Sequence, residues 1–274
     1  MNDLAKPFRI IAHRGASGYA PENTMAAFSR AVEMRATEVE TDVTFTRDRR
    51  LLLFHDDTLE RTTNGRGLPE AYALDELKQL DAGSWVDKRL SWDRDYGGEK
   101  LITLEDLLDR FGDALTYHIE IKKPMPGLVR DVIRAVKERG LTGKVFIAAA
   151  NNDESLKEAM MLSPGIAVAL APEKRIREVG SRAIEECAAN GYAMVTLASS
   201  NQSKGLVDLA HSLGLEARSS GITSREQMVE AAEIGCNGMT INWPDWLMDY
   251  VRTRTGSSSK ESDGNGKASV RDDR

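Results

Sequence analysis

The strongest constraint on this chain is an alternation. Short, β-rich apolar runs recur, and each is followed by a stretch whose apolar residues fall at helical spacing. Candidate strands lie at residues 8–12, 37–43, 117–121, 145–148, 166–170, 193–197, 215–218 and 238–242. Candidate helices lie at about 25–34, 127–139, 154–162, 175–189, 204–213, 225–234 and 245–251. A further helix follows Thr103 and carries Leu104, Leu107, Leu108 and Phe111 on one face. Thr24 is placed to cap the first helix, and Ser224 with Gln227 forms a capping-box pattern. Eight such units in a chain of 274 residues match the size and rhythm of a (β/α)₈ TIM barrel. A doubly wound open sheet has the same periodicity and remains the alternative.

The rhythm is broken once. A short run at residues 51–54 follows the charged turn Arg47–Asp48–Arg49–Arg50 and reads as an extra strand. Residues 58–100, with Asn64–Gly65, Gly67, Pro69 and Gly97–Gly98, then read as an insertion holding one helical patch near 74–80. The division expected is a barrel over 1–251 and a disordered Ser/Gly/Asp/Lys tail over 252–274. Met1 to Pro7 is polar, and no apolar run is long enough for a membrane span, so the expected location is cytoplasmic. Cys187 and Cys236, far apart and without CxxC spacing, read as reduced structural thiols. A net charge of -6 and the lack of a basic, aromatic-interleaved stripe argue against a nucleic-acid partner. An anionic small molecule needs local cations instead.

In a barrel, reactive groups belong at the C-terminal ends of strands. Here the first strand ends in His13–Arg14–Gly15, the second contains Glu38, Glu40 and Asp42, the extra strand ends in His55–Asp56, and the third contains His118, Glu120 and Lys122. Side chains at i and i+2 share a strand face, so Glu40 and Asp42 point the same way, with backbones roughly 6–7 Å apart. With Glu120 they make three carboxylates that repel one another unless a hard, oxygen-loving cation such as Mg²⁺ or Ca²⁺ joins them. For Glu40 and Asp42 alone an exposed polar edge explains the pattern equally well. Glu120, inside an apolar run, resists that explanation. Either His13 or His55 alone reads as a structural histidine, but two flanking a carboxylate cluster suggest a general base and a general acid. Arg14 and Lys122 supply cations for a phosphate, or partners for the carboxylates.

These residues resemble the glycerophosphodiester phosphodiesterase family. The resemblance rests on Ala12–His13–Arg14–Gly15–Ala16–Ser17–Gly18 with Pro21–Glu22–Asn23–Thr24, on Glu40–Thr41–Asp42, on His55–Asp56–Asp57 with Arg61–Thr62–Thr63–Asn64–Gly65, and on Glu120–Ile121–Lys122. It implies a barrel with an insertion after the His-Asp block. It implies Glu40, Asp42 and Glu120 as ligands of one Mg²⁺ or Ca²⁺, His13 and His55 as the acid–base pair, and Arg14 and Lys122 as phosphate holders. Asn23 and Asp56 become supports. The implied reaction turns a glycerophosphodiester into glycerol 3-phosphate and an alcohol.

The second half departs from the family pattern. Arg218–Ser219–Ser220–Gly221 stands where a Trp-Thr-Val-Asn stretch is common, Ile241–Asn242–Trp243–Pro244 replaces Thr-Asp-x-Pro, and His118 replaces an Asn. The missing aromatic leaves the alcohol pocket open. Arg218 is a candidate contact for a polar leaving group. Trp243 is either a replacement wall or a core residue. Two alternatives follow: the same site acting on a sugar phosphodiester, or a lyase that releases a cyclic phosphate. A binding module without catalysis conflicts with the intact histidines and carboxylates. The oligomeric state is not legible.

Overall fold

The computed structural model describes residue 4, residues 7–85, residue 92 and residues 94–255. Eight parallel strands close on themselves: β1 (Arg9–His13), β2 (Glu38–Phe45), β4 (Thr116–Ile121), β5 (Val145–Ala150), β6 (Ala167–Ala171), β7 (Met194–Ala198), β8 (Glu216–Ile222) and β9 (Gly238–Ile241). The first strand pairs with both β2 and β9, which closes the barrel and rules out the open sheet. Strand β3 (Leu51–Leu53) lies antiparallel on β2, outside the ring.

Alternation along each strand sorts side chains into two environments. Val39, Val43, Tyr117, Ile119, Ile147, Val168, Val195 and Met239 point outward into one continuous core. They meet the apolar stripes of the surrounding helices. Helix α1 (Met25–Glu33) contributes Ala27, Phe28 and Ala31, and Thr24 caps it by accepting from the Ala27 amide. After the four-residue α2 (Leu74–Leu77), α3 (Leu104–Phe111) contributes Leu104, Leu107 and Leu108 under a full Thr103/Asp106 capping box. The ring continues with α4 (Leu128–Glu138), α5 (Asp153–Leu162), α6 (Glu173–Val179), α7 (Arg182–Ala189), α8 (Lys204–Ser212), α9 (Arg225–Glu233) and α10 (Pro244–Thr255).

Four readings of the sequence need correction. The helix expected over 175–189 is two, because Gly180 adopts φ +61 and its amide closes α6 on the Ile176 carbonyl. Left-handed glycine ends a helix whatever the apolar pattern does. Ser224 caps α9, but the Gln227 carboxamide accepts from the Thr223 amide, one residue further back than a capping box requires. The helical patch at 74–80 is only α2. Finally, α10 runs to Thr255, so residues 252–255, expected in the disordered tail, are helical, with Arg254 on Glu233 at 3.1 Å. The rest of that tail lies outside the described residues.

Residues 58–100 contribute no barrel strand among the described residues. Leu59, Leu74, Leu77, Ala82 and Leu101 gather instead over Leu52 and Phe54 as a separate small core. Both cysteines are buried and unbridged, and no described helix is long and apolar enough to cross a membrane.

The barrel interior is unusual for its charge. At its floor Arg9 donates to Glu216 at 2.6 Å and to Glu38 at 3.1 Å, and its guanidinium lies over the Phe146 ring. One layer up, His118 donates from Nε2 to Glu38 at 2.8 Å, stacks on Phe146, and receives Arg218 Nη1 on Nδ1 at 3.2 Å. Burial, then Arg218, lowers the His118 imidazole to about 4, so it is neutral and its two ring nitrogens have opposite roles. Replacing Arg9 with Met leaves two carboxylates without their cation inside the ring. The expected loss is about 2–3 kcal/mol, below the full cost for a buried pair because both carboxylates keep some water. Urea unfolding of Arg9→Met measures this, and a change under about 0.5 kcal/mol, the scatter of ordinary surface substitutions, means the floor network is not holding the barrel.

Candidate active site

Parallel register fixes the centre of the site. Glu40 lies level with His13 of β1, and Asp42 lies level with Glu120 of β4. All of them occupy the inward-facing set at the C-terminal mouth. One oxygen from each of Glu40, Asp42 and Glu120 lies within 4.8 Å of the others, and Glu40 and Asp42 are buried. Burial, followed by the charges of Asp42 and Glu120, drives the Glu40 carboxyl well above its ordinary range, while Arg14 and Arg218 pull it back. The donor set is carboxylate only, and both cysteines lie elsewhere. Such a cluster fits a hard divalent cation.

The surroundings orient these ligands. Asn23, held at φ 56 and buried, donates to Asp42 at 3.2 Å and accepts from Thr41 at 2.8 Å. The Arg14 amide donates to Glu40 at 3.1 Å. Asn23 therefore supports Asp42, as the sequence suggested.

The two histidines are anchored with parallel logic and different partners. His13 places Nε2 3.8 Å from Glu40 and Nδ1 2.6 Å from the Asn242 carboxamide oxygen. Burial, then Arg14, lowers its imidazole to about 3. His55 follows Phe54, whose amide donates to the Asp42 carbonyl at 3.0 Å, and places Nδ1 2.6 Å from Asp56. An amide oxygen or a carboxylate only accepts, so in both rings Nδ1 carries hydrogen and Nε2 is left for chemistry.

Arg14 and Lys122 stand beside the carboxylates. Arg14 donates to Glu22 at 2.7 Å and has Nε 3.2 Å from Asp42; Lys122 reaches Glu120 at 3.5 Å. Glu22 and Arg61, which the sequence offered only as motif letters, prove structural. Arg61 binds both Asp56 oxygens and both Glu22 oxygens, so a ladder runs His55–Asp56–Arg61–Glu22–Arg14–Asp42 around the mouth. In the sequence Asn242 stands out only as a departure from the family pattern. Its place at the end of the last barrel strand, beside the first, was the signal. One further expectation changes, for Arg218, and the packing of Trp243 fits the second of its two readings. Arg218 is not a contact for the leaving group: it is buried inside the ring on Thr196 and His118. Trp243 stacks on Trp246 at 4.6 Å and packs against Gly18, so it seals a seam between loop and helix.

Comparison with known proteins follows the same residues. The model of the glycerophosphoryl diester phosphodiesterase family matches residues 13–246, from the first site histidine to Trp246. The chain belongs to this family. It is similar to the glycerophosphodiester phosphodiesterase of Bacillus subtilis, with 34% identity covering 89% of this chain and 87% of the relative. It is 31% identical to that of Caldanaerobacter subterraneus subsp. tengcongensis, covering 89% and 97%. Among solved structures, an Oleispira antarctica phosphodiesterase in complex with the product sn-glycerol-3-phosphate superimposes with a TM-score of 0.75 at 28% identity, covering 91% of this chain and 97% of that one. A glycerophosphodiester phosphodiesterase from Agrobacterium tumefaciens gives 0.72 at 25% identity, covering 88% and 99%.

In this family member the ladder also couples stability to acid pH through Glu22. Burial opposes ionisation of Glu22, yet Arg61 and Arg14 hold its carboxyl down at about 2, from an ordinary 4.5. A depressed carboxyl stabilises the fold above its unfolded value, and that contribution disappears as pH falls from about 4.5 towards 2. Its size is roughly 3 kcal/mol. Urea unfolding of Glu22→Gln across that range is expected to give a shallower pH slope than wild type. Identical slopes mean Glu22 does not carry this linkage.

Proposed function

We propose that this chain hydrolyses glycerophosphodiesters to glycerol 3-phosphate and an alcohol, with His13 and His55 as the proton-transfer pair. The observation carrying this reading is the Glu40/Asp42/Glu120 cluster with His13 Nε2 3.8 Å from Glu40, together with two imidazoles each anchored through Nδ1. Glu40, Asp42 and Glu120 would hold Mg²⁺ or Ca²⁺, which supplies Lewis-acid polarisation of the phosphoryl group when bound. Arg14 and Lys122 hold non-bridging phosphate oxygens and orient the diester. One imidazole removes the proton from the attacking oxygen through Nε2. As the new P–O bond forms and the bond to the alcohol breaks, the electron pair leaves on the alcohol oxygen and the other imidazole protonates it. The attacker is water or the neighbouring glycerol hydroxyl; in the second case water then opens a cyclic phosphate. The insertion at about 58–100 and a cytoplasmic setting belong to the same reading, the last supported by the unbridged cysteines.

A second reading keeps the site and changes the partner. At the mouth of β8, Ser220 stands level with Ala198, so neither of these neighbouring positions offers an aromatic wall. Small side chains there leave room for a sugar or other bulky alcohol, or for release of the cyclic phosphate as the final product. Phosphorus NMR of products from glycerophosphocholine, glycerophosphoethanolamine and a sugar phosphodiester separates these outcomes. No turnover of any glycerophosphodiester with Mg²⁺, Ca²⁺ or Mn²⁺ would remove the first reading.

His13→Ala is expected to lower kcat by about 10²–10⁴-fold, the usual worth of a general acid or base. Activity within a few-fold of wild type takes His13 out of the mechanism. Glu40→Gln is expected to weaken metal affinity by at least about 10-fold, measured by titrating Mg²⁺ or Ca²⁺ back into EDTA-treated protein. An unchanged titration curve contradicts its role as a ligand.

A further inference from the structure

Asn242 stands where the related pattern carries an aspartate, and the structure gives it a specific partner. It directly follows β9. Register places Ile241 of that strand level with Ala12 of β1, so residue 242 emerges at the mouth beside His13. There its side-chain oxygen lies 2.6 Å from His13 Nδ1.

The backbone beneath Asn242 is held from several sides. Its carbonyl accepts from the Gly18 amide at 2.9 Å. Gly18 must lack a side chain, because a Cβ there would lie 2.4 Å from Trp243 Nε1 and 2.5 Å from Cδ1. The Trp243 indole stacks on Trp246, over which the Arg225 guanidinium lies at 4.7 Å. Tyr19 donates to Asp245 at 2.8 Å and ties the same loop to the start of α10. The loop after β1 and the start of the last helix therefore pack as one unit, with the Asn242 side chain projecting from it at His13.

We infer that Asn242 is the positioning residue for His13, fixing both its tautomer and its ring orientation by accepting from Nδ1–H. This rests on the proposed function only in so far as His13 moves protons. A carboxamide oxygen has no hydrogen to give, so Nδ1 stays protonated in the neutral ring and in the imidazolium alike. Nε2, facing Glu40 at 3.8 Å, is then the ring atom that exchanges a proton with substrate. Without the acceptor, the ring is free to adopt the other tautomer and to rotate. Loss of such an orienting partner costs about 10–100-fold in activity. His55 has its own anchor in Asp56, so the effect falls on one histidine of the pair.

The test uses the full chain with Asn242→Leu, which removes the acceptor at similar volume, and Asn242→Asp, which keeps one. With glycerophosphocholine and Mg²⁺, Asn242→Leu is expected to lose about 10–100-fold in kcat with KM changed less than about 3-fold, and Asn242→Asp to recover most of it. Long-range ¹H–¹⁵N spectra of ¹⁵N-histidine-labelled protein at mildly alkaline pH, assigned with His13→Gln, read the tautomer without turnover or metal. Wild type is expected to show His13 protonated on Nδ1, and Asn242→Leu to shift it towards Nε2. A wild-type ring protonated on Nε2, a folded Asn242→Leu with kcat within 2-fold of wild type, or an Asn242→Asp as poor as Asn242→Leu overturns the inference. If Asn242→Leu does not fold, the spectra of wild type and Asn242→Asp decide: Nδ1–H in both supports the assignment, Nε2–H in either refutes it. If wild type turns over no glycerophosphodiester, the function fails, and the tautomer comparison still decides the role of Asn242.

Discussion

Three carboxylates with oxygens inside 4.8 Å of one another are a concentration of like charge that a barrel interior tolerates only with compensation. The fold supplies cations from three directions. Arg14 approaches from the loop after β1, Lys122 from the end of β4, and Arg218 lies inside the ring, where its charge acts on Glu40 and Glu120. Strand register decides whether the arrangement exists at all. A one-residue slip of β2 would turn Glu40 and Asp42 out among the helices and bring Val39, Thr41 and Val43 inward. The apolar stripe at Val39, Val43 and the neighbouring Ile119 and Ile121 therefore does more than stabilise the barrel. By claiming the outer face for hydrocarbon, it commits the alternate positions to the interior, where the acids meet.

That coupling explains why so much of the site can be read in the sequence. Period-two alternation puts Glu40 and Asp42 on one face without knowledge of any contact, and the same rule identifies Glu120. Strand-end position picks out His13, and Thr24 and Thr103 mark helix starts by capping chemistry that is local. The interior network follows no local rule. Arg9 meets Glu216 across 207 positions of sequence, and Arg218 meets His118 across 100. Alternation predicts that these residues face inward, but not which strand lies opposite at which height. Arg218, on a strand whose family pattern it breaks, therefore suggested a contact for substrate when its partners are in the wall of the barrel itself. Gly180 is the converse case: the residue that breaks the helix was visible, but the apolar pattern ran on past it, and backbone conformation overrode the pattern.

Support for the two histidines is built differently on each side. His55 leans on a chain of charges, Asp56, Arg61 and Glu22, all from neighbouring segments in the first quarter of the sequence. Such a ladder is strong because its links from Asp56 through Arg61 and Glu22 to Arg14 are charge-assisted hydrogen bonds, and it returns to Asp42 as an ion pair with Arg14 Nε at 3.2 Å. His13 leans on a single neutral acceptor, Asn242, carried at the far end of the barrel. A carboxylate anchor and a carboxamide anchor both hold Nδ1–H, but only the first brings a negative charge to its ring.

Barrel closure is what reconciles a family pattern concentrated in the first 122 residues with a site that needs the whole chain. The pairing of β1 with β9 is the last contact the ring makes, and it is the contact that brings Asn242 to His13. The charged residues of the site and the two histidines proposed to move protons cluster early because β1, β2 and β4 are consecutive in the ring. Residues that hold them in place come from wherever the ring delivers a neighbour, including its final strand. Substitutions in the second half, such as Asn242 and Trp243, are therefore free to look unlike the family pattern while still bearing on the reacting centre. What they must preserve is an acceptor at the right height and a packed backbone behind it.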